Sequence, residues 1–254
     1  MILVIKKKLL YLAIIVLVII TCVVIILVSV KTHVKDAYAS EKLVPIYCVE
    51  SGQKKVALTF DAAWGADKTP EIISILEKNN SKATFFLVGF WIDMYPDLVK
   101  DIDKHGHLIA NHSLNHLHMS KLSSNQINDE ILFTSDKIER LVGYRPKYFR
   151  APFGEYNNFL IKQVLANNAL MIQWDVDTLD WRGDSAQSII DRVNTNAKDG
   201  SIILCHNNSD HILEALPVII ASLKKNGYSL VRLDEMVLDD GYIIDPNGCQ
   251  LKSD

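Results

Sequence analysis

The stretch KVALTFDAAWGADKTPEIISILEKNNSKATFFLV, residues 55–88, decides the fold class of this chain. Short apolar runs at 56–60 and 83–88 predict two strands, because β-branched and aromatic residues favour extended backbone. Between them, Thr69 and Pro70 predict the cap and the first residue of a helix. A strand, a helix and a second strand in this order predict a βαβ unit with parallel strands.

The same alternation of strand and helix patterns continues beyond this unit and predicts about seven parallel strands in total. The further strands are predicted at residues 107–110, 147–150, 171–176, 201–205 and 228–233. The further helices are predicted at 95–105, 124–142, 159–168, 185–197 and 212–226, the second of them between a capping box at Ser123 and Gly143. Such a series fits a (β/α) barrel or a doubly wound sheet, and in both folds chemistry collects at the carboxyl ends of the strands.

The N-terminal residues 9–30 form an apolar run without a single charge and predict a transmembrane anchor, because about 20 such residues cross a bilayer. Three lysines at 6–8 precede the run, so residues 1–8 are expected in the cytoplasm and the rest outside the membrane. The alternative is a signal peptide cleaved near Ala39 in the A-x-A sequence at 37–39, which would release a secreted protein. The run exceeds the roughly 7–15 apolar residues of a signal peptide, so the uncleaved anchor is favoured.

The rest of the chain is predicted to comprise a stalk at 31–54, one domain at 55–238 and a C-terminal tail at 239–254. Residues 31–254 contain 24 basic and 30 acidic residues, a net charge of −6. An acidic surface of this kind argues against nucleic acid as a partner. With 49% hydrophobic residues, the composition also excludes a disordered chain.

Three of the four cysteines, Cys48, Cys205 and Cys249, lie in the part predicted to be exported. Cys205 ends an apolar run and is expected to be a buried thiol. Cys48 and Cys249 flank the domain and are candidates for a pair, although the sequence does not show whether they are close.

Polar residues follow the predicted strands: Asp61, His112, His116, Arg150, Asp177, Asp180 and His206. Any one of these alone would most often be an ordinary turn or cap residue. Their coincidence at one edge of one sheet predicts a catalytic site.

Two histidine arrangements in this set predict specific chemistry. His112 and His116 are four positions apart, which on a helical turn places both rings on one side, as a metal site requires. His118 adds an ambiguity, because on a regular helix it would point elsewhere. Asp180 and His206 stand at neighbouring strand ends, and a carboxylate bonded to a histidine raises its pKa and makes it a general acid.

Five stretches in this order resemble the motifs of the polysaccharide deacetylases, the NodB-homology family or carbohydrate esterase family 4. They are Thr59-Phe60-Asp61, His112-Ser113-Leu114-Asn115-His116, Arg150-Ala151-Pro152-Phe153-Gly154, Asp177-Thr178-Leu179-Asp180-Trp181 and Ile203-Leu204-Cys205-His206. The resemblance covers roughly residues 55–237, and residues 59–65 look most like a subgroup common in spore-forming bacteria. It implies a distorted (β/α) barrel and a hydrolase that removes N-acetyl groups from an aminosugar polymer.

The resemblance also implies roles for the metal and the base. His112 and His116 would hold a divalent metal, usually zinc, with cobalt or another divalent ion as alternatives. Asp61 would be the base that activates water, and Arg150 would orient it. The family normally has a second aspartate where this chain has Ala62, so the third metal ligand is open: Asp61 is the nearest candidate, and Asp67 or a water are others.

The remaining implied roles concern the acid and the substrate. His206 would protonate the leaving amine, tuned by Asp180, and the backbone N–H of Phe153 would help to hold the oxyanion. Trp64 is either a core residue or a wall on which a sugar stacks, and Trp181 is a second candidate for substrate binding.

Three functions remain open on the sequence. The favoured one is a membrane-anchored deacetylase of peptidoglycan or a related glycan such as a chitooligosaccharide. The second is a weak or inactive carbohydrate-binding protein, which Ala62 alone supports. The third is a glycosidase with Asp61 and Asp180 as its carboxylates, which leaves the three histidines without a role.

Overall fold

The computed structural model describes residues 16–26 and 42–253, in two compact units, Met1–Lys42 and Leu43–Asp254. The described part of the first unit is a helix, α1, at residues 16–26, with exposed apolar side chains. No helix in the described ranges combines the length and apolarity needed to cross a membrane. The rest of the predicted anchor, residues 9–15 and 27–30, lies outside the described residues, as does the possible cleavage site at 37–39.

The second unit alternates strands and helices as predicted. Its helices are α2 (Thr69–Lys78), α3 (Gly89–Met94), α4 (Pro96–Lys104), α5 (Ser124–Val142), α6 (Asn158–Ala166), α7 (Ala186–Asn196) and α8 (Ile212–Lys225). Its strands are β1 (Cys48–Val49), β2 (Lys55–Ala62), β3 (Thr84–Leu87), β4 (Leu108–Asn111), β5 (Tyr148–Phe149), β6 (Leu170–Met171), β7 (Val176–Asp177), β8 (Ile202–His206), β9 (Ser229–Leu230), β10 (Tyr242–Ile244) and β11 (Cys249–Lys252).

Seven parallel strands form the main sheet in the order β6-β5-β4-β3-β2-β8-β7, and β9 pairs with the start of β2. The two edges of this path, β6 and β7, are separated in sequence only by residues 172–175. The sheet must therefore curve until its edges approach, which makes it a half-barrel. This confirms the α/β class and the seven parallel strands, and the curvature is consistent with the predicted barrel.

The register of the strands aligns their carboxyl ends. Asp61 on β2 lies opposite His206 on β8, and Asn111 on β4 lies opposite Leu87 on one side and Phe149 on the other. Residues that follow these strands therefore emerge at one edge of the sheet, as parallel strands require. The core beneath them is apolar, and the rings of Phe60 and Phe85 stack within it at 5.1 Å.

Two local predictions were wrong, and one short helix was not predicted. Thr69 does not cap α2: Lys68 is the N-cap, and the buried Thr69 hydroxyl accepts a hydrogen bond from the Asn207 side chain. The predicted helix 95–105 corresponds to α4, whereas the short helix α3, which ends where the chain turns at Tyr95, was not predicted. The predicted strand 171–176 is the end of β6 and the start of β7, which lie at opposite edges of the sheet.

A second, small sheet joins the two ends of this unit. Strands β1 and β11 pair in parallel, and β10 pairs with β11 in antiparallel fashion. The predicted stalk at 31–54 thus contributes β1, and the predicted tail at 239–254 contributes β10 and β11. The predicted domain boundaries at 55 and 238 themselves stay predictions.

Candidate active site

A cavity of about 630 Å³ opens at the carboxyl ends of the strands. It is lined by Asp61, Ala63, Trp64, His112, His116, Phe153, Gly154, Trp174, Asp177, Asp180, Trp181, Leu204, His206, Asn207, Asn208, Ser209 and Asp210. Every predicted site residue lines it except Arg150, which lies behind Asp61 and is completely buried. The structure therefore brings the predicted residues together.

Asp61 and Arg150 form a buried ion pair at the floor of the cavity. The Nη1 atom of Arg150 donates to Oδ1 of Asp61 at 2.7 Å and to the hydroxyl of Thr59 at 3.0 Å. Its Nη2 atom donates to the carbonyl of Gln173 at 3.0 Å, and the guanidinium lies 4.0 Å from the ring of Phe86. These contacts fix the guanidinium, so it holds Asp61 in one orientation.

The same ion pair sets the charge of Asp61. Burial by itself would raise the pKa of this carboxyl, but the positive charge of Arg150, with His112 and His206, outweighs burial and lowers the pKa. Asp61 is therefore ionised at neutral pH. Because Oδ1 is bonded to Arg150, Oδ2 is the oxygen available for chemistry.

His206 and Asp180 form the second charged pair. The backbone N–H of His206 donates to Oδ2 of Asp180 at 2.8 Å, and its Nδ1 lies 2.7 Å from Oδ1. Since a carboxylate only accepts, Nδ1 carries a proton and Nε2 is left for proton transfer. Burial by itself would lower the pKa of His206, but the hydrogen bond and charge of Asp180 outweigh it and raise the pKa.

His112 and His116 lie close together, although not on a helical turn as predicted. They belong to a loop after β4 in which Ser113 and His116 have positive φ angles of 71° and 55°. Their rings meet edge to face with centroids 5.1 Å apart. The prediction that His112 and His116 lie on a helical turn was wrong. The conformation of the loop brings their rings together instead.

Both imidazoles are held in the neutral form that a metal ligand needs. Burial lowers the pKa of His112 and, together with the charge of His112, lowers that of His116 to about 4. The Nδ1 of His112 donates to the carbonyl of Arg150 at 2.9 Å, which leaves its Nε2 as the free lone pair. The buried Nδ1 of His116 makes no hydrogen bond to another residue among those described.

The donor atoms fit a divalent cation in type, but they form an incomplete set. Within residues 16–26 and 42–253, no three histidine, cysteine, aspartate or glutamate side chains converge as a metal site. Oδ2 of Asp61 lies 3.5 Å from Nε2 of His112. Two tetrahedral ligands at about 2.0–2.2 Å from one zinc ion would be roughly 3.3–3.5 Å apart, so this pair has the spacing of shared ligands. Ala62 offers no further carboxylate.

Three exposed aromatic side chains surround the cavity. Trp64 is 61% exposed, Phe153 57% and Trp181 62%, so the alternative that Trp64 is a core residue was wrong. The rings of Trp64 and Phe153 lie 4.8 and 4.7 Å from that of His116. Phe153 itself has a φ of 61°, a left-handed conformation unusual for a bulky residue.

Glu130, a buried carboxylate of α5, was not predicted from the sequence. It stabilises the histidine loop, residues 112–118, which follows β4. One oxygen accepts the backbone N–H groups of Leu114 and Asn115 at 2.9 and 2.8 Å, and the other accepts the Asn115 side chain at 2.7 Å. The signal was present, because Glu130 stands among the apolar positions of α5 between Ile127 and Ile131. A charge on the buried stripe of an amphipathic helix indicates a partner.

Sequence reasoning also missed the loop after β8. Asn207 donates to the carbonyl of Gly65 at 2.9 Å, and Ser209 donates to the carbonyl of Asp180 at 3.0 Å. Gly65 has a φ of 67°, and a Cβ atom there would lie 2.7 Å from the Asn208 side chain. Only glycine allows this close approach of the loops that follow β2 and β8.

Comparison with known proteins gives one consistent family. A polysaccharide deacetylase family model matches residues 49–170. The chain is 37% identical over 200 residues to a peptidoglycan-N-acetylglucosamine deacetylase of Bacillus cereus, covering 77% of this chain and 73% of that protein. It is 36% identical over 188 residues to a peptidoglycan-N-acetylmuramic acid deacetylase of Bacillus subtilis, covering 74% and 40% respectively.

The structural neighbours include a protein of the same family described as a pseudoenzyme. This Bacillus anthracis protein matches with a TM-score of 0.73 and 33% identity, over 76% of this chain and 68% of that one. A mutant of it with restored enzymatic activity matches with a TM-score of 0.73 and 35% identity, over 76% and 71%. The likenesses therefore extend both to proteins named as deacetylases and to one named as inactive.

Proposed function

Because the chain belongs to the polysaccharide deacetylase family, we propose that it removes N-acetyl groups from the aminosugars of cell-wall peptidoglycan or a related glycan. Two ion pairs carry this proposal. Asp61 on β2 pairs with Arg150, and His206 on β8 pairs with Asp180. Amide hydrolysis needs a base for water and an acid for the leaving nitrogen. The Asp61–Arg150 pair supplies the base and the His206–Asp180 pair supplies the acid. Both pairs face one cavity, because Asp61 and His206 lie opposite each other on neighbouring strands.

Asp61 acts as the base in this proposal. Its Oδ2 accepts a proton from the water that attacks the acetyl carbonyl, while Arg150 keeps the carboxylate ionised and oriented through Oδ1. The backbone N–H of Phe153, at the mouth of the cavity, is our candidate donor to the oxyanion.

His206 acts as the acid. Its raised pKa favours the protonated form, which delivers its proton to the amide nitrogen as the carbon–nitrogen bond breaks. The products are acetate and a free amine on the sugar. Asp180 fixes the ring orientation and stabilises the imidazolium.

We also propose that His112, His116 and Asp61 hold a divalent cation, zinc or cobalt. When bound, such an ion supplies a Lewis acid for the acetyl carbonyl and lowers the pKa of water. The two neutral imidazoles and the 3.5 Å spacing between Asp61 and His112 support this assignment.

The aromatic rim is suited to a glycan. Trp64, Phe153 and Trp181 present large exposed faces beside a cavity of about 630 Å³, which can accept a sugar ring. Aromatic faces stack on the apolar faces of sugars while the polar floor of the cavity meets the acetamido group.

A second candidate is a carbohydrate-binding protein of the same fold with little or no activity. Ala62 and the incomplete donor set favour it, as does the likeness to a pseudoenzyme. The retained ion pairs argue against it, because binding alone requires neither a fixed base nor a tuned acid.

The test measures acetate released from purified peptidoglycan and from an N-acetylglucosamine oligomer. The full chain is assayed as purified, after chelation, and after chelation followed by zinc or cobalt. Acetate that disappears on chelation and returns with metal supports the proposal. Glycan binding without acetate at any metal level supports the second candidate, and new reducing ends would indicate a glycosidase.

For location, we propose that residues 9–30 stay attached as a membrane anchor with the catalytic domain outside the cell. The length and lack of charge of this run support it. N-terminal sequencing of the mature protein tests it, because a chain that begins at Ser40 would mean cleavage and secretion.

A further inference from the structure

Two cysteines that are far apart in sequence meet in the small sheet. Cys48 on β1 lies directly opposite Cys249 on the parallel strand β11. Neighbouring strands are about 4.8 Å apart, which falls within the roughly 4.4–6.8 Å between Cα atoms that a disulfide spans. The register therefore brings the two thiols within reach of each other.

We propose that Cys48 and Cys249 form a disulfide bond that joins the first and last strands of this unit. The oxidant required is a disulfide, either on another protein or a small molecule. Each cysteine thiol gives up one hydrogen, a sulfur–sulfur bond forms between them, and the oxidant's own disulfide is reduced to two thiols by the two electrons and two protons released.

The other two cysteines do not compete for this pairing. Cys205 is completely buried within β8. Cys22 is on helix α1, in the other compact unit. The odd number of cysteines in residues 31–254 is thereby explained as one pair and one buried thiol.

The bond would hold strands that few hydrogen bonds secure. β1 has two residues and β11 has four, and both lie near the ends of the unit, where strands fray most readily. The segment is attached to the main sheet through the N–H of Val49, bonded to the carbonyl of Gly200, and through the carbonyl of Ile46, bonded to the N–H of Gln173. A covalent link between its two strands would keep these contacts together.

The loop that the bond would close is long. It contains 200 residues between Cys48 and Cys249, so cross-linking would remove much of the freedom of the unfolded chain. The stabilisation of disulfides of this kind corresponds to a melting temperature higher by about 5–15 °C for a domain of this size.

The first test counts thiols in the purified full chain. The reduced protein has four cysteines, and after incubation with oxidised glutathione near pH 8.5 we expect two to remain open to alkylation under denaturing conditions. Digestion without reductant should then release one peptide pair linking Cys48 to Cys249. Four free thiols, glutathione adducts on these cysteines, or a link to Cys22 or Cys205 would overturn the proposal.

The second test compares melting temperatures of the oxidised proteins with and without reductant. We expect reductant to lower the melting temperature of the wild type and of the control Cys22→Ser by about 5–15 °C. Cys48→Ser, Cys249→Ser and the double variant should melt lower and be insensitive to reductant. Equal melting of oxidised and reduced wild type would refute the stabilising role, and the thiol count remains decisive if a variant fails to fold.

Discussion

Ala62 is completely buried at the end of β2, immediately after the proposed base. A catalytic zinc site usually has three protein ligands, and two imidazoles alone leave it one short. If Asp61 fills that place, it serves as ligand and base at once and is less available as the base. On the proposed function, the residue at position 62 therefore bears on both metal affinity and rate.

Restoring the carboxylate should separate these effects. We expect Ala62→Asp to tighten zinc binding about tenfold or more, measured by calorimetric titration, because a negative ligand complements the cation. Ala63→Asp, which adds the same charge one position further, is the control and should have a smaller effect.

Acetate release by the same variant distinguishes three situations. A gain only at low zinc means that the wild type is an enzyme short of metal. A gain that persists at saturating zinc means that Asp61 was occupied as a ligand and has been freed as base. No activity at any zinc level identifies a binding protein, and tight wild-type zinc binding that survives Asp61→Ala would refute a ligand role for Asp61.

His206 gives the second prediction for a single residue. We expect His206→Ala to lose about 10²–10⁴-fold in kcat, because the leaving nitrogen no longer receives a proton, with metal content unchanged. Asp180→Asn should lose less. It should also move the alkaline limb of the pH–rate profile to lower pH, because Asp180 raises the pKa of His206.

The matched control is His211→Ala, since His211 is another histidine of the same loop region and does not line the cavity. Metal analysis of the purified variants tests whether His206 is the acid or a metal ligand. A His206→Ala protein without metal would mean that His206 is a ligand rather than the acid.

Elements with a strong local signal were predictable from the sequence. The capping box at Ser123 and the left-handed Gly143, with a φ of 83°, delimit α5 as expected, and β2 extends the predicted run by one residue at its start and two at its end. These signals rest on backbone chemistry within a few residues. Longer-range contacts do not alter them.

The histidine loop was less predictable, because its shape depends on contacts distant in sequence. Spacing suggested a helical turn, whereas the loop takes positive φ angles at Ser113 and His116. Glu130 lies 14 positions after His116 and 16 positions after Leu114. Its carboxylate accepts hydrogen bonds from N–H groups that have no acceptor within the loop. A residue pattern cannot show which helix will lie beneath a loop.

The brace between α5 and this loop gives a third prediction. Glu130→Ala should lower the melting temperature by about 4–8 °C, because three part-buried donors lose their acceptor. It should also weaken zinc binding, since the loop carries His112 and His116. Glu130→Gln, which keeps one acceptor oxygen, should recover part of both losses.

Asp129→Ala on the same helix is the control, because that side chain is exposed. Calorimetry of the three variants, with zinc titration alongside, makes the comparison. A Glu130→Ala protein that melts lower but binds zinc normally would show that the brace stabilises the fold without positioning the histidines.

At the scale of the whole molecule, parallel topology explains why residues far apart in the sequence line one cavity. Asp61, His112, Arg150 and His206 span 145 positions, and each follows or ends a strand of one sheet. Strand order was not predictable, because β6 and β7 read as one run yet lie at opposite edges. Curvature brings these two edges close enough for one short run to supply both edge strands, and curvature depends on the packing of the entire sheet.

The same packing buries His107 and His112 and partly buries His116, and the pKa values of all three imidazoles are lowered. His107 is 1% exposed at the opposite end of the sheet, where its Nδ1 accepts the N–H of Ala83. Burial, with the positive charges of Lys82, His105 and Arg232, lowers its pKa to about 4. His107 is remote from the catalytic chemistry, so its titration reports on stability alone.

Acid should therefore destabilise the fold in a defined window. The unfolded chain binds a proton at each histidine below about pH 6.5, whereas folded His107 does so only near pH 4, so stability present above pH 6.5 is lost as pH falls towards 4. The contribution of His206, whose pKa is raised, has the opposite sign, but it is complete below pH 6.5 and constant in this window.

The free energy of unfolding lost through His107 is on the order of 2–3 kcal/mol. Urea unfolding between pH 7 and 4.5 should show it, and His107→Gln should flatten the slope. Parallel curves for wild type and His107→Gln, or an NMR titration of His107 in the folded protein near pH 6.5, would contradict the prediction.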